Sequence, residues 1–186
     1  MEWKKHMAAP ILASAVLAAC GGGGGGGDTI TPPSSNPPAA EAPTTKERIA
    51  ALEAEGNLPK LDRSADLKGP DANGDGVRDD IEAILRGKYQ GAQQEATMQF
   101  ARSYRAVFDL PEGDRIAAKA ISIAGSRALV CVSRQFRGDQ RFNSSVVMRE
   151  IVSMTFNTKA RLNAYMAYNK ALSGSVLTLP EGDTCE

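Results

Sequence analysis

The sequence predicts a mainly α protein: a single helical bundle domain of four to six helices behind a disordered tether. Three observations carry this. Apolar residues recur at three- and four-residue spacing through much of the chain after Thr44. Helix start and stop signals punctuate those stretches, whereas strand-like alternation is weak. Before Thr44 the composition shifts to glycine and proline, which cannot bury a core. The boundaries read as a leader at 1–19, a tether at 20–43 and a folded domain at 44–186 that contains a distinctive loop at 71–82.

The elements follow in order. Thr44-Thr45-Lys46-Glu47 has the form of a capping box, so a short helix begins there, with Ile49, Leu52 and Ala50 inward and Gly56 as its stop. Residues 58–70 form a polar loop with scattered leucines. A helix at about 79–88 offers Ile81, Ile84 and Leu85 to the core. From 93 to 109, Phe100, Tyr104, Val107 and Phe108 share a helical face; such a stripe is more often core than a ligand pocket. After the stop Leu110-Pro111-Glu112-Gly113, a long helix at about 114–136 is apolar on more than one face, which predicts the central, buried helix. Arg127 interrupts it and must pair with an acid or point to the edge. Asn143 or Ser144 caps a third long helix running to about 171, irregular at Asn157-Thr158, with Val147, Ile151, Met154, Thr155, Leu162, Tyr165, Met166 and Leu172 on one side. The apolar tail at 176–180 is expected to pack back as an extended strap.

Composition removes several chemistries. The single histidine, His6, and the single tryptophan, Trp3, both lie in the leader. Once the leader is cleaved, no Ser-His-Asp or Cys-His catalysis, histidine zinc site or histidine haem ligand remains. Cleavage also removes Lys4, Lys5 and Glu2, taking 22 basic and 22 acidic residues to 20 and 21. A near-neutral domain gives no electrostatic case for nucleic acid. Cys131 and Cys185 remain, and in an oxidising compartment two such cysteines are expected to pair as a disulfide. The alternative, a reactive thiol, is weakened by the apolar setting Leu129-Val130-Cys131-Val132.

The loop at 71–82 is the one stretch whose spacing matches a known chemistry. Oxygen-bearing side chains fall at positions one, three, five, nine and twelve, as Asp71, Asn73, Asp75, Asp79 and Glu82, with glycine at six, Gly76. Ca2+ takes about six to eight oxygens at about 2.3–2.6 Å. The alternating short side chains converge, Val77 contributes its carbonyl, Asp79 acts directly or through water, and the longer Glu82 closes the site. The loop resembles that of EF-hand proteins and the related loops of dockerins and thrombospondin type 3 repeats. The resemblance covers twelve of 186 residues and implies Ca2+ as the ligand of Asp71, Asn73, Asp75, Val77, Asp79 and Glu82. Two departures stand out: Arg78 at position eight, usually apolar, and Gly69-Pro70 where an entering helix would end. A solitary site with an exiting helix only is expected. The alternative is an Asx-rich turn opening a helix N-terminus.

The leader carries an address. Lys4 and Lys5 precede an apolar run at 8–19 that is too short to span a bilayer. It ends in Leu17-Ala18-Ala19-Cys20, which resembles the bacterial lipobox. The resemblance implies a signal peptide, acylation of Cys20 by chains such as palmitate, and a lipoprotein held on the membrane by several acyl chains. An ordinary secretory signal is the alternative. Gly21, rather than Asp, after the cysteine suggests the outer membrane, facing periplasm or surface. Seven consecutive glycines at 21–27 and the proline-rich stretch after them supply reach.

The expected function is a calcium-binding, outer-membrane-anchored structural or binding module of the cell envelope, without enzymatic activity. One alternative is a small envelope enzyme using carboxylates alone, marked by a deep cleft with two acids outside the loop; Glu95 and Glu150 read as solvated charges. Another is an accessory or inhibitor of one protein partner, marked by an exposed apolar patch. The expected partners are the membrane, through Cys20, and an unidentified envelope protein or glycan.

Overall fold

The computed structural model describes residues 42–186; the leader, Cys20 and nearly all of the tether lie outside the described residues. Pro43–Glu186 is one compact unit. Among the described residues there are six α-helices and no strand: α1 (Thr45–Ala54), α2 (Asp79–Lys88), α3 (Gly91–Arg105), α4 (Arg115–Gln135), α5 (Ser144–Thr155) and α6 (Lys159–Ala171), with a 3-10 turn, Ala106–Asp109, after α3.

Local chemistry sets most of the helix starts. Thr44 Oγ1 accepts from the Glu47 amide while the Glu47 carboxylate accepts from the Thr44 amide at 2.7 Å, a reciprocal cap. Asp114, Asn143 and Thr158 open α4, α5 and α6 in the simpler form, each side chain accepting from first-turn amides.

α3 is the central helix, packed on α2, α4 and α5. Phe100 and Ala101 meet Leu85, Val132 and Ile151 in the larger core. A smaller cluster joins Val107, Ala118, Phe156 and Tyr168, and Tyr104 touches both. Burial, with Tyr165 and Tyr168 nearby, pushes the Tyr104 phenol up to about 12, so it stays neutral. Cys131 and Cys185 form a disulfide with Cα atoms 5.1 Å apart. Gln99 Nε2 donates to the Thr184 carbonyl at 2.9 Å, so the chain end is held by side chain and covalent bond together.

Several expectations need correction. The stretch at 114–136 is helical but not central: Ile116 is 86% exposed, and Ile123 also faces outward. α4 is long and apolar enough to cross a membrane by composition, yet Ala118, Ala128, Cys131 and Val132 are packed into the bundle. α1 forms as expected but buries none of its residues; Ala50 and Leu52 are exposed and Ile49 is half-buried. Its cap is a local device that needs no partner helix. The stretch from Ser144 to Ala171 is two helices, because Phe156, Asn157 and Thr158 leave the helical path. That break resets the helical phase: Leu162 and Met166 are exposed, while Arg161, Tyr168 and Ala171 turn inward. In the tail, Val176, Leu177 and Leu179 are exposed rather than strapped down; the docked part is Thr184 and Cys185. Arg127 points to the edge, where it reaches the Asp183 carbonyl.

Candidate metal centre

Residues 71–82 form a closed loop leading into α2, and no helix enters it between Ala54 and Asp79. Its ends are joined by the Asp79 amide, which donates to the Pro70 carbonyl at 2.9 Å. Gly76 has φ +84°, and a Cβ there would lie 3.0 Å from Arg102 Cγ, so both conformation and space favour glycine at position six.

Backbone amides orient the acidic side chains one by one. Gly76 N donates to Asp71 Oδ2 at 3.2 Å, Val77 N to Asp75 Oδ1 at 2.8 Å and Ala72 N to Asp79 Oδ1 at 2.9 Å. Asp75 N donates to Asn73 Oδ1 at 3.1 Å. Each of the three aspartates is therefore pinned by one oxygen, which leaves its second oxygen for another partner. Asp71 Oδ1 is buried and has no hydrogen-bond partner among the described residues. Asn73 Nδ2 lies 3.2 Å from Asp75 Oδ2 and 3.1 Å from each oxygen of Glu82. Three carboxylate oxygens thus surround one donor nitrogen.

The four acids Asp71, Asp75, Asp79 and Glu82 would repel one another without positive charge between or beside them. Three arginines supply part of it. Arg86 Nε donates to Glu82 Oε1 at 2.7 Å, Arg105 Nη2 lies 3.3 Å from Asp71 Oδ2, and Arg102 Nη1 donates to the Asp75 carbonyl at 3.2 Å. Among the described residues, no three Asp, Glu, His or Cys side chains gather into a metal-binding group as they stand. In the loop, the Asn73 amide and the arginines stand among the acids instead. The donor chemistry nevertheless fits a hard cation: all the candidate donors are oxygens, and one of them, Asp71 Oδ1, is buried without a hydrogen-bond partner although Arg105 pairs with the other oxygen. The Val77 side chain is buried in the hydrophobic core.

The residues that fix this loop in the bundle were not identified from the sequence. Arg78 is only 4% exposed. It pairs with Asp80 and donates from Nη2 to the Met154 carbonyl at 3.0 Å, at the C-terminal end of α5. Arg161 is 0% exposed. Its Nε donates to the Leu67 carbonyl at 2.9 Å, its Nη1 to the Asn157 side chain at 2.8 Å and its Nη2 to the Asp66 carbonyl at 2.8 Å, and it is ion-paired with Asp62. Burial pushes the Asp62 carboxyl up, but hydrogen bonds from Arg161 and Ser64 outweigh it and hold the carboxyl below its usual range. Asp62 N in turn donates to Asp80 Oδ2 at 2.7 Å, linking the two clamps. The only sequence signal for any of this was the charged residue at position eight.

A separate cleft of about 500 Å³ lies between the 58–63 segment, α2 and α5. Glu53 and Glu150 both line it. Glu53 is ion-paired with Arg63 at 2.7 Å, and Glu150 with Lys88. Glu150 is therefore paired rather than isolated, while its side chain stays solvated as expected.

Compared with known proteins, the chain matches no family model, no curated protein and no solved structure. The helical architecture and the disulfide accordingly stand on the structure itself.

Proposed function

We propose that residues 71–82 bind one Ca2+ and that the chain is a calcium-stabilised structural or binding module of the cell envelope, anchored to the outer membrane through acylated Cys20. The observation that carries the calcium proposal is the buried Asp71 Oδ1, without a hydrogen-bond partner, inside a loop whose Asp75 and Asp79 are each pinned by a backbone amide through one oxygen. Asp71, Asp75, Asp79 and Glu82 supply carboxylate oxygens, Val77 its carbonyl, and Asn73 its amide oxygen once the amide turns. The ion supplies the part of the positive charge that Arg86, Arg102 and Arg105 leave unmet. Nothing in the loop performs a reaction; its residues fix the start of α2 against α3 and α5. The anchor rests on the lipobox-like Leu17-Ala18-Ala19-Cys20 and places the domain on a tether.

Calorimetric titration of Ca2+ into protein beginning at Thr44, with Glu82→Ala beside it, tests the binding claim. Saturable one-site binding lost in the variant is the expected result. The absence of heat and of any change in melting temperature would reduce the loop to a helix-opening turn.

A second reading, an accessory or inhibitor of one protein partner, is favoured by a specific surface. Ile116 and Ile123 line one shallow cleft together with Ser175, and Val176 beside it is 86% exposed. Exposed apolar side chains at a cleft, here lined also by Arg115 and Lys119, mark interaction sites. We do not propose carboxylate catalysis: the two acids at the cleft between the 58–63 segment, α2 and α5, Glu53 and Glu150, are both engaged by cations.

A further inference from the structure

A cavity of about 210 Å³ lies between α3, α4, α6 and the tail. It shares no residue with the 71–82 loop, so what it holds does not depend on whether the loop takes Ca2+. Three of the chain's four tyrosines, Tyr104, Tyr165 and Tyr168, line it. The Tyr168 hydroxyl is paired with Ser122. The Tyr104 hydroxyl has no such partner: burial and the phenols of Tyr165 and Tyr168 act on it, and no hydrogen bond does. Nor is it fully enclosed, since the enclosed polar side-chain atoms without a partner among the described residues are Asp71 Oδ1, Tyr89 Oη and Thr184 Oγ1. Its donor therefore keeps a surface that a molecule in the cavity can reach. Phenylalanine would fill the same space, as Phe100 and Phe156 do beside it, without a polar group to satisfy.

The floor of the cavity is built from small residues of α4, Ser122, Gly125 and Ser126. A glycine inside a helix costs stability relative to alanine. The packing of the protein does not require one here: a Cβ on Gly125 would meet nothing nearer than Ser103 Oγ at 3.9 Å, an ordinary contact. The glycine keeps open a space that the protein itself leaves unfilled.

The lining defines what fits that space. None of the lining residues is charged, so an ionic ligand would enter without a counter-ion. The hydroxyls of Tyr104, Tyr165 and Ser126 can both donate and accept, and Asn169 adds an amide at the exposed rim. Ile121, Leu129 and Leu177 form apolar wall between these groups. The volume is below the about 300–1,000 Å³ of drug-sized sites, which leaves room for one ring and not for a chain. A single ring that is uncharged, rich in hydroxyls and apolar on its C–H faces matches each of these features.

We propose that this cavity binds one neutral hexopyranose ring, with a C–H face against Ile121, Leu129 and Leu177 and an oxygen accepting from the Tyr104 hydroxyl. The ring is either a free sugar or the end residue of a glycan, entering past Asn169.

The test is a methyl-resolved NMR titration of the purified chain with the methyl glycosides of glucose, mannose and galactose. Cyclohexanol, a ring with one hydroxyl, is titrated beside them. Tyr104→Phe removes the donor and keeps the aromatic ring. Gly125→Ala places a methyl on the floor where the protein has room for it. The expected result is saturable shifts at the Ile121, Leu129 and Leu177 methyls with at least one glycoside, while those of Ile81 and Ile151 in the larger core stay unmoved. Binding should be about five-fold weaker in each variant, although Gly125→Ala melts at or above wild type. A disaccharide ending in the ring that binds separates the two sources: equal affinity assigns the site to a glycan end, and lost binding assigns it to the free sugar. Three results would overturn the proposal: no saturable shifts up to about 100 mM glycoside, unchanged affinity in either variant, or cyclohexanol binding at least as tightly as every glycoside.

Discussion

Arg78 Nη2 donates to the Met154 carbonyl oxygen at 3.0 Å, which fastens the eighth residue of the 71–82 loop to the C-terminal end of α5. A cation suits that end of a helix, where carbonyls lack intrahelical partners. Asp80 neutralises the guanidinium from the other side. Position eight of the loop is thereby held by a buried ion pair and a helix terminus.

Removing that fastening should be severe. Arg78→Ala leaves Asp80 and the α5 carbonyls without their buried partner, a change of the kind that costs about 3–5 kcal/mol. Urea unfolding measures it directly. A loss below about 1 kcal/mol would show that the contact is incidental.

Gly69 is held at φ +66°, and a Cβ there would lie 2.5 Å from Arg78 Cδ and 2.9 Å from Asp62 Oδ2. Gly69→Ala therefore meets both a disfavoured backbone region and the two arginine clamps. It should cost more than about 2 kcal/mol, whereas Gly74→Ala, at φ +70° with open space around it, bears the backbone penalty alone. Comparing the two urea midpoints separates the steric contribution from the conformational one.

The elements legible in the sequence were those with local causes. The loop, the start of α2 at Asp79 and the Thr44 cap depend on residues within a few positions of one another. The Cys131–Cys185 disulfide was legible by elimination, because only two cysteines remain after Cys20. Arg161 was hidden for a physical reason: a continuous helix from Ser144 puts Leu162 inward, and three non-helical residues at 156–158 move Arg161 there instead. The rank of α3 over α4 as the central helix was equally hidden, since composition records how apolar a helix is and not how many neighbours it meets. Glu150 looked isolated because its partner Lys88 is 62 residues away.

The Asp62–Arg161 pair predicts an acid limb in stability. The folded Asp62 carboxyl titrates below its unfolded value of about 3.9. Its contribution is therefore full above the unfolded value and is lost as pH falls through the folded one. Thermal melts from pH 6 down to pH 2.5 should show wild type losing stability more steeply below about pH 4 than Asp62→Asn, which starts lower. Parallel curves would remove Asp62 from the acid limb.

The disulfide closes a separation of 54 residues, and on the chain-entropy account it contributes about 4 kcal/mol. The double variant Cys131→Ser/Cys185→Ser should lose stability on that order and release the Thr184 carbonyl from Gln99. Hydrogen exchange across 182–186, together with the urea midpoint, reads both effects. Unchanged protection in the variant would mean that the Gln99 contact and the packing of Thr184 hold the tail without the covalent bond.

The most direct test of the central claim is the melting temperature of wild type and Asp75→Asn, each in 10 mM Ca2+ and in chelator. The asparagine keeps an acceptor for the Val77 amide and removes a charged oxygen from the loop. If the loop binds Ca2+ with a dissociation constant of about 0.1 mM, linkage gives wild type about 2.7 kcal/mol at that concentration, a rise of about 5–10 °C. Asp75→Asn should rise far less, while the two proteins melt close together in chelator. Identical melting of both proteins with and without Ca2+ would contradict the account and leave 71–82 as a turn held by arginines alone.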